Sequence, residues 1–295
     1  MGDTVTPLRA LLLSTAVSAA TTPAFIRGWL GLPRLGVTSA AAASIVSFVA
    51  ALLYMGVHMR RQDHPMKPDR ELLHALRLDP RLLKLVVRIG MPTGVQMVVI
   101  SLAEIALLAL VNRFGSDATA AYGAVNQVVN YVQFPALSIA ITASILGAQA
   151  IGAGKAERLG EIVAAGIKLN LAITGTLVVV GYLFSRHLMA LFITSEPVVD
   201  LAQSLLHIML WSSVVFGMAS VVSGVMRASG TVLVPMAISI FCIAAIEVPS
   251  AYALAARIGL GGVWWAYPIA FTSMLVLQST FYRLVWRKAK IERLV

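Results

Sequence analysis

Long apolar stretches dominate the chain, and short polar or glycine- and proline-containing segments separate them. Eight stretches are long enough to cross a bilayer as a helix, which takes roughly 20 mostly apolar residues. They cover residues 8–26, 36–58, 85–111, 120–150, 162–184, 198–225, 232–256 and 262–286. Their continuous hydropathy excludes a membrane β-barrel, whose strands alternate over about ten residues. The pattern therefore predicts an all-α, polytopic membrane protein with about eight transmembrane helices.

The composition supports a membrane location. The 295 residues are 59% hydrophobic and 12% charged, whereas soluble domains carry about 25% charged residues. A net charge of +10 would suggest nucleic acid in a soluble protein, but these basic residues lie between apolar stretches, as in oriented membrane proteins. We therefore expect the lipid bilayer as a partner and no nucleic acid. Cys242 is the single cysteine, and we expect no metal site and no resident cofactor.

The longest polar segment divides the chain into two helices and six. Residues 59–84 are predicted to form a cytoplasmic linker, with a short amphipathic helix at 70–78, between helices in 1–58 and in 85–295. Eighteen of the 23 Lys and Arg residues lie on the linker side of the membrane. Since basic residues concentrate in cytoplasmic loops, this bias predicts that the linker and both termini are cytoplasmic.

The first sixty residues resemble the last seventy. Gly2–Pro7 aligns with Gly230–Pro235, and four further identities follow: Pro23 with Pro249, Gly36 with Gly262, Ala40 with Ala266, and Arg61 with Arg287. Both copies have the same orientation, so this is a parallel repeat, as found in some secondary transporters. The first copy contains only two helices, against six in the second unit. We therefore expect that four helices preceding residue 1 are missing.

Glu104 lies well inside an apolar helix. A charged carboxylate at the bilayer centre costs on the order of 3 kcal/mol, so this side chain should face the bundle interior. At 100° per residue one helical face carries Thr93, Met97, Ser101 and Glu104, with Gln96 beside it. Burial favours the protonated carboxyl and a bound cation favours the ionised one, which is a physical basis for exchanging a proton for a cation. The alternative is a protonated Glu104 hydrogen-bonded to a neighbouring helix.

Further polar groups lie within the predicted helices. Glu247 is a second intramembrane acid, with cation binding and structural hydrogen bonding as open alternatives. Asn126, Asn130 and Gln133 share one helical face, and they either bond across helices or line a wet cavity. The candidate cation- and substrate-binding residues are Glu104, Glu247, Gln96, Ser101, Asn126, Asn130 and Gln133. No hydrolase or metalloprotease motif occurs, so we expect no catalytic residues and no enzyme activity.

Several short motifs occur in an order that resembles the multidrug and toxic compound extrusion (MATE) family. They are Arg88–Pro92, Glu104, Val111–Gly115, Ala120–Gly123, Gly147–Gly154 and Met226–Gly230. The resemblance covers nearly the whole chain and implies two six-helix lobes around a central cleft. Residues 1–58 would be the last two helices of the N-terminal lobe and 85–295 the C-terminal lobe. The missing helix bundle would be a partner.

The resemblance also implies a function. It implies secondary transport in a bacterial inner (plasma) membrane, with export of small organic cations by antiport against protons or sodium as the coupling ion. The sequence departs from the family in two ways: the family's first helix, which often carries a functional aspartate, is missing, and the helix at 198–225 has acidity only at Asp200.

Two other functions stay open. One is a non-transporting membrane remnant or interaction subunit. The other is a flippase for lipid-linked precursors, which is disfavoured because no basic residue lies mid-helix to bind a diphosphate.

Overall fold

The structure is a computed structural model and describes residues 5–29, 36–62 and 79–288. Over these residues it contains helices and no strand. The α-helices are α1 (Val5–Arg27), α2 (Ser39–Arg61), α3 (Pro80–Val111), α4 (Ser116–Gly152), α5 (Leu159–Leu183), α6 (Ser185–Ala190), α7 (Glu196–Met209), α8 (Ser212–Ala228), α9 (Leu233–Phe241), α10 (Val248–Ile258) and α11 (Leu260–Leu284). A π-helical turn, Cys242–Glu247, joins α9 to α10.

Eight helical segments among the described residues are long and apolar enough to cross a membrane. They are Val5–Arg27, Ser39–Arg61, Val86–Phe114, Ser116–Gly152, Ala156–Leu183, Glu196–Ala228, Leu233–Ile258 and Leu260–Lys288. Each overlaps one of the stretches expected from hydropathy. The prediction of an all-α membrane protein with eight transmembrane helices is therefore confirmed.

The chain divides into two compact units, Met1–Leu82 and Leu83–Val295. In the first unit α1 and α2 form an antiparallel pair, and the side chain of Thr6 near the start of α1 meets Nε2 of His58 near the end of α2 at 3.0 Å. Both ends of the predicted 59–84 linker are helical, because α2 reaches Arg61 and α3 begins at Pro80. The amphipathic helix predicted at 70–78 lies outside the described residues, and the linker stays a prediction.

In the second unit, α4 and α8 pack along each other and are flanked by α5, α7 and α11. A polar contact helps to hold α5 against α8, since Nδ2 of the fully buried Asn170 donates to the Val214 carbonyl at 3.0 Å. Thr174 donates to Asn170 Oδ1, also at 3.0 Å. Gly217 provides the space, because a Cβ there would lie 2.1 Å from that same oxygen. Small residues let membrane helices approach closely and satisfy such amides.

Helix α3 enters the core mainly near its C-terminal end. Leu107, Leu110 and Val111 are buried there in the main apolar cluster of the unit. Towards the other end of the helix, Gln96 receives a hydrogen bond from Arg227 of α8. Between these two contacts, α3 forms one wall of the cavities that hold the candidate site.

Candidate functional site

A cavity of about 500 Å³ lies within the second unit. Its walls come from α3, α4, α8, α9, the π-helical turn and α11, with Met209 of α7. All seven residues that the sequence predicted as a site line this one cavity: Gln96, Ser101, Glu104, Asn126, Asn130, Gln133 and Glu247. The structure therefore brings the predicted residues together, and their binding roles stay predictions.

The two acids reach the cavity from different elements. Glu104 projects from α3 and is exposed, whereas Glu247 is the last residue of the π-helical turn and is only 6% exposed. Among the described residues no Lys, Arg or His nitrogen lies within 4.0 Å of either carboxyl. The cavity thus holds two acidic groups without a basic neighbour in the described chain.

The predicted amide face of α4 lines the same cavity. Asn126, Asn130 and Gln133 lie along its wall. Ser101 lines the opposite wall on α3, three residues before Glu104. The amides and the hydroxyl can hold water or a polar ligand beside the two acids. This arrangement agrees with the cavity-lining interpretation of the amides.

Aromatic side chains complete the wall, and the sequence analysis had not selected them. The hydroxyls of Tyr122 and Tyr267 meet at 3.1 Å, although these residues are 145 positions apart. The rings of Phe216 and Phe271 lie 5.0 Å apart between their centroids, and both residues line the cavity. Aromatic faces attract organic cations through their quadrupole. Tyr122 lies in the motif Ala120–Gly123, and this motif was the one sequence feature that could have indicated Tyr122 as a site residue.

A second cavity, of about 390 Å³, adjoins the first. The two cavities share five lining residues: Gln96, Ile100, Phe216, Ser239 and Met274. Thr93 and Met97, predicted on the same α3 face as Glu104, line this second cavity. Arg227 also lines it, although the sequence analysis had counted that residue among the cytoplasmic charges.

Asp200 lies away from both cavities. Its carboxylate pairs with Arg186, which also binds Glu196. The hydrogen bond from Arg186 to Asp200 raises the pKa of the guanidinium still further above its already high value. Asp200 thus serves in an exposed ion pair between α6 and α7, and the transmembrane segment that contains it contributes no acid to the cavity.

The arrangement suits binding better than bond cleavage. The described residues contain no group of three or more His, Cys, Asp or Glu side chains that could hold a metal ion. The cavity instead combines acids, amides and aromatic rings, which suits a compound that is positively charged and partly apolar.

Together, the helices and the cavity define an integral membrane protein of the polytopic α-helical class, with a six-helix unit that encloses an acidic, amphipathic cavity. A family model described as MatE matches residues 92–253, which include most of the cavity wall. The chain belongs to the MatE family, whose members are transporters rather than enzymes.

Two curated relatives illustrate the similarity. The chain is 43% identical over 296 residues to a probable multidrug resistance protein, YoeA, of Bacillus subtilis strain 168, covering 100% of this chain and 64% of that protein. It is 25% identical to a probable multidrug resistance protein, NorM, of Thermotoga maritima, covering 99% of this chain and 62% of that protein. The chain therefore spans less than two thirds of the length of these relatives.

A solved structure supports the fold. A mutant of the Vibrio cholerae MATE transporter VcmN superposes with a TM-score of 0.86 and 19% identity, over 98% of this chain and 64% of that chain. At this identity the likeness concerns the arrangement of helices and not the substrate.

Proposed function

We propose that this chain acts in the export of small organic cations by antiport, with protons or sodium as the coupling ion. The observation that carries the proposal is the pair Glu104 and Glu247, two acids that line one cavity with no basic neighbour within 4.0 Å among the described residues. Membership of the MatE family supports it, as does the description of the relatives as multidrug resistance proteins.

The chemistry of exchange follows from placing a carboxyl in a cavity of low polarity. A protonated carboxyl is neutral and does not attract a cation, whereas an ionised one does. A proton or sodium ion therefore competes with the organic cation for the same group. Gln133, Asn126 and Asn130 provide polar contacts without a competing charge, and Phe216 and Phe271 provide apolar and cation–π contacts.

We place this transport in the bacterial inner (plasma) membrane, with both termini cytoplasmic. Bacterial relatives support the membrane, and the distribution of Lys and Arg supports the orientation. Export then requires that the cavity opens alternately to the two sides.

Transport can be tested in proteoliposomes that contain the purified chain. The fluorescent cation ethidium is supplied, and an imposed pH gradient or an imposed sodium gradient drives its movement in separate arms. We expect ethidium to move against the flow of one coupling ion, and the arm that responds identifies this ion. Glu157→Gln, an exposed position outside both cavities, is expected to transport normally.

A third arm separates transport from the non-transporting alternative. The chain is co-reconstituted with the part of YoeA that it does not match, because the chain covers only 64% of that relative. Movement of ethidium in this arm alone means that the cavity works within a larger assembly. If ethidium moves under neither gradient, both with and without the added part of YoeA, the transport proposal is wrong and the membrane-remnant alternative holds.

The flippase alternative finds little support in the first cavity. A diphosphate headgroup carries at least two negative charges, and the acids Glu104 and Glu247 would repel it. Arg227 is the one basic side chain among the described residues that line the two cavities. One guanidinium does not balance a diphosphate.

A further inference from the structure

The second cavity differs from the first in charge. No Asp or Glu is among its described lining residues, and its one charged lining group is Arg227, near the end of α8. Gln96 lies on α3 eight residues before Glu104, and eight residues of helix span about 12 Å. Arg227 contacts Gln96. The positive charge of the second cavity therefore lies well away from Glu104.

The guanidinium of Arg227 is incompletely paired. One terminal nitrogen, Nη2, donates to Gln96 Oε1 at 2.8 Å, but the buried Nε has no partner among the described residues. No carboxylate of the described chain lies within 4.0 Å of it. A charged group in a membrane segment normally pairs with an opposite charge or faces a functional cavity. An amide oxygen satisfies one donor and leaves the charge uncompensated.

Two further buried polar atoms belong to residues that line the same cavity and have no partner in the described chain. They are the hydroxyl of Ser223, a residue that is 5% exposed, and Oε1 of Gln278, a residue that is 1% exposed. Buried polar atoms in native proteins nearly always have a hydrogen-bond partner. The Ser223 hydroxyl can donate to an anion. The Gln278 amide is not available in the same way, because its Nε2 already donates to Ser239 Oγ at 3.3 Å.

The remaining wall is mainly apolar, with hydroxyl groups from Thr93, Ser144, Ser220 and Ser239. Leu137, Ile141 and Ile145 of α4 line the cavity together with Met97 of α3, and Phe216 lies at the boundary to the first cavity. A site with one cationic end and a long apolar wall fits an amphiphile with one anionic group at its head. The negative charge of a doubly charged headgroup would exceed the single positive charge of the guanidinium. A neutral headgroup would leave the charge of Arg227 uncompensated.

We infer that the second cavity is a binding site for an anionic amphiphile, with Arg227 and Ser223 holding a single carboxylate or phosphate group and α3 and α4 holding the apolar chain. The head binds by charge-assisted hydrogen bonds, which are about twice as strong as neutral ones. This inference does not rest on the proposed transport, although the two cavities share five lining residues. The same head chemistry occurs in a free fatty acid and in an anionic phospholipid.

Binding can be measured on the purified full chain in a neutral detergent by isothermal titration. The probes share a twelve-carbon chain and differ in the head: dodecanoate, the singly charged phosphodiester methyl dodecyl phosphate, dodecanol and dodecyltrimethylammonium. We expect dodecanoate and methyl dodecyl phosphate to bind at least about tenfold more tightly than dodecanol, since hydrogen bonds to a charged group contribute this much. Equal binding of dodecanol and dodecanoate overturns the inference, as does a lack of anion binding.

The variants locate the site. Arg227→Gln is expected to weaken dodecanoate binding about tenfold or more, and Arg227→Lys to weaken it less because the charge is kept. Ser223→Ala gives a smaller loss. Arg257→Gln is the matched control, because Arg257 is an exposed arginine outside both cavities. This variant should bind dodecanoate as tightly as the wild type.

Two controls keep the result interpretable. Thermal unfolding of Arg227→Gln in detergent reports whether the variant is folded, so a loss of dodecanoate binding with a retained unfolding transition supports the inference. Unchanged dodecanoate binding by a folded Arg227→Gln protein overturns it. Competition by phosphatidylglycerol but not phosphatidylcholine in nanodiscs identifies a lipid phosphate as the occupant. Without that competition, binding through Arg227 identifies a free amphiphile.

Discussion

The two cavity acids have the same side chain and very different surroundings. Glu104 is exposed on α3, whereas Glu247 is buried at the end of the π-helical turn beside Tyr267. Water and ions therefore reach Glu104 more readily than Glu247. If cations enter the cavity, we expect Glu104 to make the first contact, and Glu247 to influence binding through its charge state.

Removing the charge of Glu104 should weaken cation binding. In Glu104→Gln we expect a loss of ethidium affinity of up to about fivefold, because a cation–carboxylate pair at an exposed position contributes about 0.2–1 kcal/mol. Fluorescence titration in detergent measures this affinity.

Glu247→Gln tests the second acid in the same assay. We expect a smaller loss of ethidium affinity than in Glu104→Gln, because Glu247 is only 6% exposed and an entering cation reaches it less readily. Glu157→Gln should match the wild type. Unchanged affinity in both cavity variants would show that neither carboxyl binds the cation.

At the scale of elements, close packing between α4 and α8 fixes the cavity wall. Gly224 of α8 lies against the backbone of α4, where a Cβ would be 2.6 Å from the Ala140 carbonyl oxygen. That oxygen belongs to the helix backbone and cannot move aside as a flexible side chain can. The helices must therefore separate if Gly224 gains a side chain, and the second cavity, which both residues line, would change shape.

Gly224→Ala should consequently destabilise the protein by about 1–3 kcal/mol, the usual cost of overpacking. Gly175→Ala on α5 is the matched control, because a Cβ there meets nothing within 4 Å, and it should stabilise the helix by about 0.5–1 kcal/mol. Thermal unfolding of the two variants in detergent measures the difference. Equal melting temperatures would contradict the close packing of α4 and α8.

The sequence predicted features that depend on one helix alone. The 3.6-residue period identified the face of α4 that carries Asn126, Asn130 and Gln133, because side chains three or four positions apart share a face wherever the helix packs. It did not identify the contact of Tyr122 with Tyr267, which joins residues 145 positions apart. Such contacts depend on how distant helices are placed.

The sequence pattern also failed to predict two local features of the structure. Arg227 lies near the end of α8, where a basic residue usually faces the cytoplasm, and only its contact with Gln96 reveals that it turns towards the second cavity. The π-helical turn at Cys242–Glu247 has an apolar sequence that suits an α-helix equally well. Its wider turn sets the direction of Glu247, so the position of this acid could not be read from the α-helical period.

At the scale of the whole molecule, the distribution of basic residues assigns the two faces of the membrane. Lys155 follows α4 on the predicted cytoplasmic side, and Arg186 lies in α6 on the opposite side. Both positions lie in short connections outside the eight apolar segments, so reagents in water can reach them. Their accessibility in intact cells therefore tests the orientation.

Labelling of single cysteines measures this orientation. In a Cys242→Ala background, Arg186→Cys should react with a membrane-impermeant maleimide in intact cells, and Lys155→Cys should react only after the membrane is opened. The Cys242→Ala protein without a new cysteine gives the background signal. The reverse pattern would place the termini outside and overturn the positive-inside assignment.

The wall between the two cavities has a thermodynamic consequence. Since Gln96, Ile100, Phe216, Ser239 and Met274 line both cavities, a molecule bound in one cavity contacts side chains that a molecule in the other cavity also contacts. Linkage then requires reciprocity: whatever factor a fatty anion imposes on the dissociation constant of an organic cation, the cation imposes on the anion. The five shared side chains make the two equilibria a single coupled system.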